Sequence, residues 1–198
     1  MLQLSLRIIL ILNSFSLIYA TEPIEIMNTP LSSSIQKKII KNIIFSETEV
    51  ESLPNNQQKL TFHLAGLHLK SCKIALTKLS KYENYEKYLD MVKKSYYNEK
   101  TQILKFFLQA YILPFKMILE FKLPRIIKPG LYHFQFLKGF LKGLKGEIHV
   151  SQYKNRCFFY STAKWKGPDS GIFDFIFEFF ASTLSKMSME KLFIISSS

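Results

Sequence analysis

The sequence predicts an α+β fold: a curved antiparallel sheet wrapped around a long C-terminal helix, with two short helices after the first strand. Three observations lead there. Asp169 to Ile195 reads as a single apolar helix. From Leu60 to Trp165, short runs alternate apolar and polar residues with the period of half-buried strands. These strands are grouped together, without the strand–helix alternation of a parallel doubly wound sheet.

The chain has 198 residues, 47% of them hydrophobic, so one ordinary domain with a sizeable core is within reach. Met1 to Ala20 reads as a secretory signal peptide. Arg7 is its single charge, Ile8 to Leu12 is its apolar centre, and Ala20 is a small residue at the cut. The apolar centre is short and Asn13 and Ser14 interrupt it, which favours a cleaved leader over the alternative, an uncleaved N-terminal anchor. The expected location is therefore exported, periplasmic or secreted, with or without membrane association. The formal charge is +12, and losing Arg7 with the leader lowers it by one. Lysine supplies nearly all of it, because only Arg125 and Arg156 remain beyond the leader. Such a field attracts anionic surfaces such as lipid headgroups, or serves solubility alone. It lacks the arginine forks that read phosphates, so no nucleic-acid partner is expected.

Residues 21–58 form an N-terminal segment ahead of a domain spanning 59–198. In it Ile35, Ile39, Ile40, Ile43 and Ile44 recur at helical spacing with Lys37, Lys38 and Lys41 between them. This short basic amphipathic helix either packs on the domain or lies on an anionic membrane. Pro54-Asn55-Asn56 breaks the chain. Leu60, Phe62 and Leu64 then alternate, and Leu67 and Leu69 continue in the opposite phase, which predicts a bulge at Ala65-Gly66. Ser71 to Leu79 and Tyr82 to Val92 are the two short helices.

Strands follow from Tyr96 and from Ile103 to Ile112, with Pro114 marking an edge, turn or kink. Phe115, Met117, Leu119 and Phe121 share one face of the next strand, and Tyr132, Phe134 and Phe136 form another inward set. In FLKGFLKGLKG, Gly139, Gly143 and Gly146 read as a bendable strand interior, with Lys138, Lys142 and Lys145 as a basic rim. No phosphate-cradling pattern is present there. On the last strand Cys157, Phe159, Ser161, Ala163 and Trp165 face inward. Pro168 to Gly171 then signals a helix start. Phe173, Phe177, Phe180, Leu184 and Met187 recur at spacings of four and three on one helix face, widened by Ile172, Ile176 and Phe179. That face is expected to meet the sheet. Cys72 and Cys157, the two cysteines, either form a disulfide or stay free as small buried hydrophobes.

One stretch carries a family resemblance. LTKLSKYENYEKYLDMVKKS (Leu76 to Ser95) has a tyrosine-rich turn and a YL-x-x-V run before a strand. It resembles the START-like helix-grip (SRPBCC) superfamily, which includes polyketide cyclases and coenzyme Q-binding START-like proteins. The order of the later strands and the aromatic terminal helix agree with it. LPFKMILEFKLPR and KGFLKGLKGEIHV resemble an exported bacterial branch. The resemblance implies a cavity between sheet and helix that holds an apolar ligand.

Catalytic constellations are thin. His63, His68, His133 and His149 are scattered singly, no HExxH or paired-cysteine pattern offers a metal site, and no GxSxG elbow occurs. Glu178, inside the apolar helix, is the candidate pocket acid; Asp174 suits the helix N-terminus. No cofactor is expected. The expected function is binding of a hydrophobic small molecule: a lipid, quinone or isoprenoid. Phe115, Met117, Leu119 and Phe121 would form one wall, Phe134, Phe136, Phe159 and Trp165 others, and Phe173, Phe177, Phe180 and Leu184 the helix lid. The alternatives are a cyclase- or hydrolase-type enzyme using the same cavity and an interaction module with a filled core.

Overall fold

The computed structural model describes residues 24–109, 117–139 and 141–197. The leader and Phe115 lie outside the described residues. Helix α1 (Ser33–Ile40) precedes strands β1 (Phe45–Leu53) and β2 (Gln57–His68). Helix α2 (Cys72–Leu79) and a 3-10 turn (Tyr82–Lys87) follow, then β3 (Val92–Asn98), β4 (Ile103–Leu108), β5 (Met117–Lys122), β6 (Gly130–Lys138), β7 (Lys145–Tyr153) and β8 (Arg156–Pro168). Helix α3 (Asp174–Ser197) closes the chain. The eight strands form one curved antiparallel sheet in the order β1-β2-β8-β7-β6-β5-β4-β3, and α3 lies against β1, β2 and α2. This is the expected fold class, a sheet gripping a terminal helix.

The two short helical pieces follow β2, the strand that the alternation identifies first. One strand precedes it. β1 pairs with β2 from Phe45↔Ala65 to Leu53↔Gln57 across a turn in which Asn55 and Asn56 take positive φ, a conformation asparagine tolerates. The sheet thus begins ahead of residue 59, where composition suggests a boundary. β1 escapes an apolar-alternation test because Ser46, Thr48 and Ser52 alternate with Glu47, Glu49 and Glu51.

The expected bulge at Ala65-Gly66 is absent: β2 keeps one continuous register with β1 and with β8. The phase change in the sequence is instead a change of buried face. Leu60 packs toward α3 with Trp165 and Phe177. Ala65 and Leu67 pack on the opposite, outer face with Phe158 and Tyr160, beneath Ile26 and Ile39 of the N-terminal segment. The isoleucine helix therefore packs on the domain, and Ile39 is fully buried. His149 helps hold this segment: its Nδ1 accepts the Ile24 amide at 3.3 Å, and Ser151 Oγ donates to the Ile24 carbonyl at 3.1 Å.

The glycine-rich stretch is not a strand interior throughout. β6 ends at Lys138 and β7 begins at Lys145, so Gly139 and Gly143 serve the connecting turn, with φ of 103° and 92°. Pro168 to Gly171 forms a turn ahead of α3, in which Asp169 and Ser170 side chains accept the Gly171 and Ile172 amides, and the helix proper starts at Asp174. Cys72, at the start of α2, and Cys157, on β8, form a disulfide across a sequence separation of 85. It ties α2 to the sheet beside the cavity described next.

Candidate ligand cavity

Between the concave sheet face and α3 lies a cavity of about 430 Å³. Its sheet wall is built by the inward residues of successive strands: Leu104 and Phe106 of β4, Leu119 and Phe121 of β5, Phe136 of β6 and Phe159 of β8. Strand pairing places these rings side by side, because residues paired across strands share a face. Phe121 opposes Phe136, with ring centroids 5.0 Å apart, and Phe106 meets Phe121 edge-on at 5.5 Å. Leu76 and Leu79 of α2 and Tyr82 and Tyr85 of the 3-10 turn close one end. Helix α3 contributes Ser185, Ser188, Met189, Leu192 and Phe193.

No Asp, Glu, Lys, Arg or His lines this cavity among the described residues. Its polar atoms are largely committed elsewhere. Tyr85 donates its phenol to the Leu79 carbonyl at 2.7 Å, and Tyr82 donates to the Pro124 carbonyl at 3.1 Å while accepting the Ile126 amide. Burial pushes both phenols well above the usual tyrosine range. Ser185 and Ser188 donate back to the helix carbonyls of Ala181 and Leu184. The surface offered to a ligand is therefore aliphatic and aromatic.

The sequence-derived wall residues divide. Leu119, Phe121, Phe136 and Phe159 line the cavity. Phe134, Trp165 and Phe177 belong to a neighbouring cluster with Leu60, Leu144 and Ala163, where the Trp165 indole donates to the Lys142 carbonyl at 3.0 Å. Met117, opposite Leu108 at the end of β5, lies outside the lining. Phe180 and Leu184 are half-buried and also outside it, and Phe173 is 73% exposed.

The helix face thus runs contrary to expectation. Phe173, Phe175 and Phe179 turn outward while Phe177 stays buried, and the stripe facing the sheet carries Asp174, Glu178, Ser182, Ser185 and Ser188. The reason is the edge strand. Asp174 accepts the Ser52 amide, Glu178 the Val50 amide, Ser182 donates to Thr48, and Ser185 hydrogen-bonds Ser46. Two strand residues advance roughly 6.8 Å and four helix residues roughly 6 Å, so the two periods stay nearly in step. Helix α3 covers β1's outward amides, which would otherwise be an open sheet edge. Glu178 is therefore spent on the backbone rather than offered to the cavity.

Histidines fall elsewhere as well. His68 is fully buried, hydrogen-bonded to Ser196 Oγ at 3.0 Å and accepting the Lys70 amide. His133 and His149 flank Glu147 on the outer sheet face, each 3.4 Å from it. No group of three metal-ligating side chains converges among the described residues. The α3 residues missed from sequence alone were Ser185, Ser188, Met189, Leu192 and Phe193, in the C-terminal half of the helix. Their signal was the helical spacing Ser185, Ser188, Met189, Leu192, in which the serines carry little apolar contrast.

An antiparallel sheet gripping a C-terminal helix over an apolar cavity is the helix-grip fold, and comparison with solved structures bears the fold out. A conserved protein from Geobacillus kaustophilus superposes with a TM-score of 0.58 at 15% identity, covering 69% of this chain and 95% of that one. The Zhui aromatase/cyclase from a Streptomyces species gives 0.55 at 6% identity, with 70% and 94% covered. Norcoclaurine synthase from Thalictrum flavum gives 0.51 at 16% identity, with 71% and 87% covered. At these identities the likeness is one of fold. No protein-family model and no curated protein sequence matches the chain.

Proposed function

We propose that this chain is an exported binding protein that holds an apolar small molecule, a lipid, quinone or isoprenoid, between its sheet and α3. One observation carries the reading: a cavity of about 430 Å³ whose described lining has no charged side chain. That volume lies within the roughly 300–1,000 Å³ of small-molecule sites. A described lining without Asp, Glu, Lys, Arg or His favours holding a ligand over transforming one, because proton transfer needs a suitable group within hydrogen-bond reach of the substrate. The two neighbours with named activities, an aromatase/cyclase and norcoclaurine synthase, support a fold able to enclose apolar and aromatic molecules. Export is supported by the leader-like Met1 to Ala20 and by the Cys72–Cys157 disulfide, a bond that persists in oxidising compartments.

Native mass spectrometry of the purified protein, followed by organic extraction, tests the reading. The expected result is a stoichiometric apolar adduct that extraction releases and identifies. A chain that carries no adduct and takes up neither a fluorescent fatty acid nor a quinone is a scaffold, and the reading falls.

A further inference from the structure

The outward stripe of α3 has no partner within the described fold. Phe173, Phe175 and Phe179 are 73%, 69% and 63% exposed, and Met187 and Ile194 farther along are 54% and 71% exposed. Phe173 and Phe175 stack on one another with ring centroids 6.1 Å apart, so the exposed aromatic surface is contiguous rather than scattered. Contiguous apolar surface of this kind marks an interaction site.

Charge selects the occupant. Between Ile172 and Thr183 the only ionised side chains are Asp174 and Glu178, and both are turned to β1 and hydrogen-bonded there. The surroundings are basic. Lys186, exposed on α3, stands seven residues beyond Phe179 on the same helix face, and exposed Lys142 sits in the turn whose Leu141 and Leu144 pack with Ile172 and Phe177. Neither Lys142 nor Lys186 forms an ion pair among the described residues. Exposed phenylalanines with nearby lysines suit the boundary between anionic headgroups and acyl chains. A second copy would bring two chains of formal charge +12 together, which mutual repulsion opposes. No described helix is long and apolar enough to cross a bilayer, so α3 would lie in the interface.

We infer that the N-terminal half of α3, through Phe173, Phe175 and Phe179, is a docking surface for an anionic lipid bilayer. This surface is distinct from the cavity and does not depend on its occupancy.

The test places an indole at the contact. In the full chain carrying F179W, vesicles of brominated phosphatidylcholine with phosphatidylserine should quench the introduced indole at least twofold, while Trp165, 5% exposed, stays unquenched. Adding F175S should weaken vesicle partition about tenfold without moving the circular dichroism spectrum. An unquenched indole on a chain that co-sediments with vesicles would assign docking to another surface and overturn the inference. So would a dimer by light scattering that F175S converts to monomer, which would give the stripe to a second copy. Native mass spectrometry of the F175S variant reports on the cavity separately, since Phe175 does not line it.

Discussion

Glu178 Oε1 accepts the backbone amide of Val50 at 2.7 Å. The one carboxylate within the aromatic part of α3 that could have served as an acid in the cavity instead terminates a sheet edge. With Asp174 on Ser52, Ser182 on Thr48 and Ser185 on Ser46, it makes α3 the functional neighbour of β1 on its unpaired side. Glu178→Ala should therefore destabilise the protein by about 1–3 kcal/mol, the cost of leaving a partly buried amide unpaired. Glu178→Gln, which keeps an acceptor, should cost less. Urea denaturation of both variants measures this, and equal losses would show that charge, not the hydrogen bond, matters.

The Cys72–Cys157 disulfide closes a long loop across the 85-residue separation. Chain-entropy arguments put its contribution at about 4.5 kcal/mol. The double variant C72A/C157A should show a urea midpoint lowered accordingly, and reductant should lower that of the native chain alone. A midpoint unchanged by either treatment would mean that the unfolded state is not restrained by this bond.

Ser188 lies on the cavity side of α3, and its hydroxyl is spent on the Leu184 carbonyl. Ser188→Trp should fill the space with an indole. Uptake of a neutral apolar dye such as Nile red should weaken at least tenfold, with a stability cost of about 1–3 kcal/mol or less because the space is empty of side chains. Unchanged uptake at intact stability would locate dye binding outside the cavity.

Stability should fall below about pH 6.5. Burial holds the His149 imidazole below its ordinary range, against the pull of Glu147, and burial does the same to His68. A histidine with a lowered pKa in the folded state binds its proton more readily when unfolded. Stability is thus complete above the unfolded value and is lost as pH falls toward the folded one, at no more than about 1.4 kcal/mol per pH unit and histidine. A protonated His149 also cannot accept the Ile24 amide, so the N-terminal segment should loosen first. Hydrogen exchange at Ile24 as a function of pH checks this; in His149→Asn the response should flatten.

Much of the architecture was legible in the chain. Strands whose inward residues are apolar, such as Leu104, Phe106 and Leu108, or Leu119 and Phe121, declare their face by alternation alone. β1 did not, because hydrogen bonds from a helix 120 to 140 residues away in the chain, not apolar burial alone, hold its inner side. The phase change in β2 was visible but ambiguous: a bulge and a switch of buried face give the same pattern, and only the N-terminal segment's position on the outer sheet face decides between them.

The sequence by itself determined the fold class, the grouping of strands around a terminal helix and four of the cavity-lining residues, because these follow from local periodicity. Tertiary structure alone decided the orientation of α3. A helix rich in apolar residues on more than one side can satisfy periodicity in several rotations. The rotation adopted is the one that hands Asp174, Glu178, Ser182 and Ser185 to the open amides and hydroxyls of β1. Those hydrogen bonds hold one side of the helix against β1, so Phe173, Phe175 and Phe179 turn outward while Ser185, Ser188, Met189, Leu192 and Phe193 face the cavity.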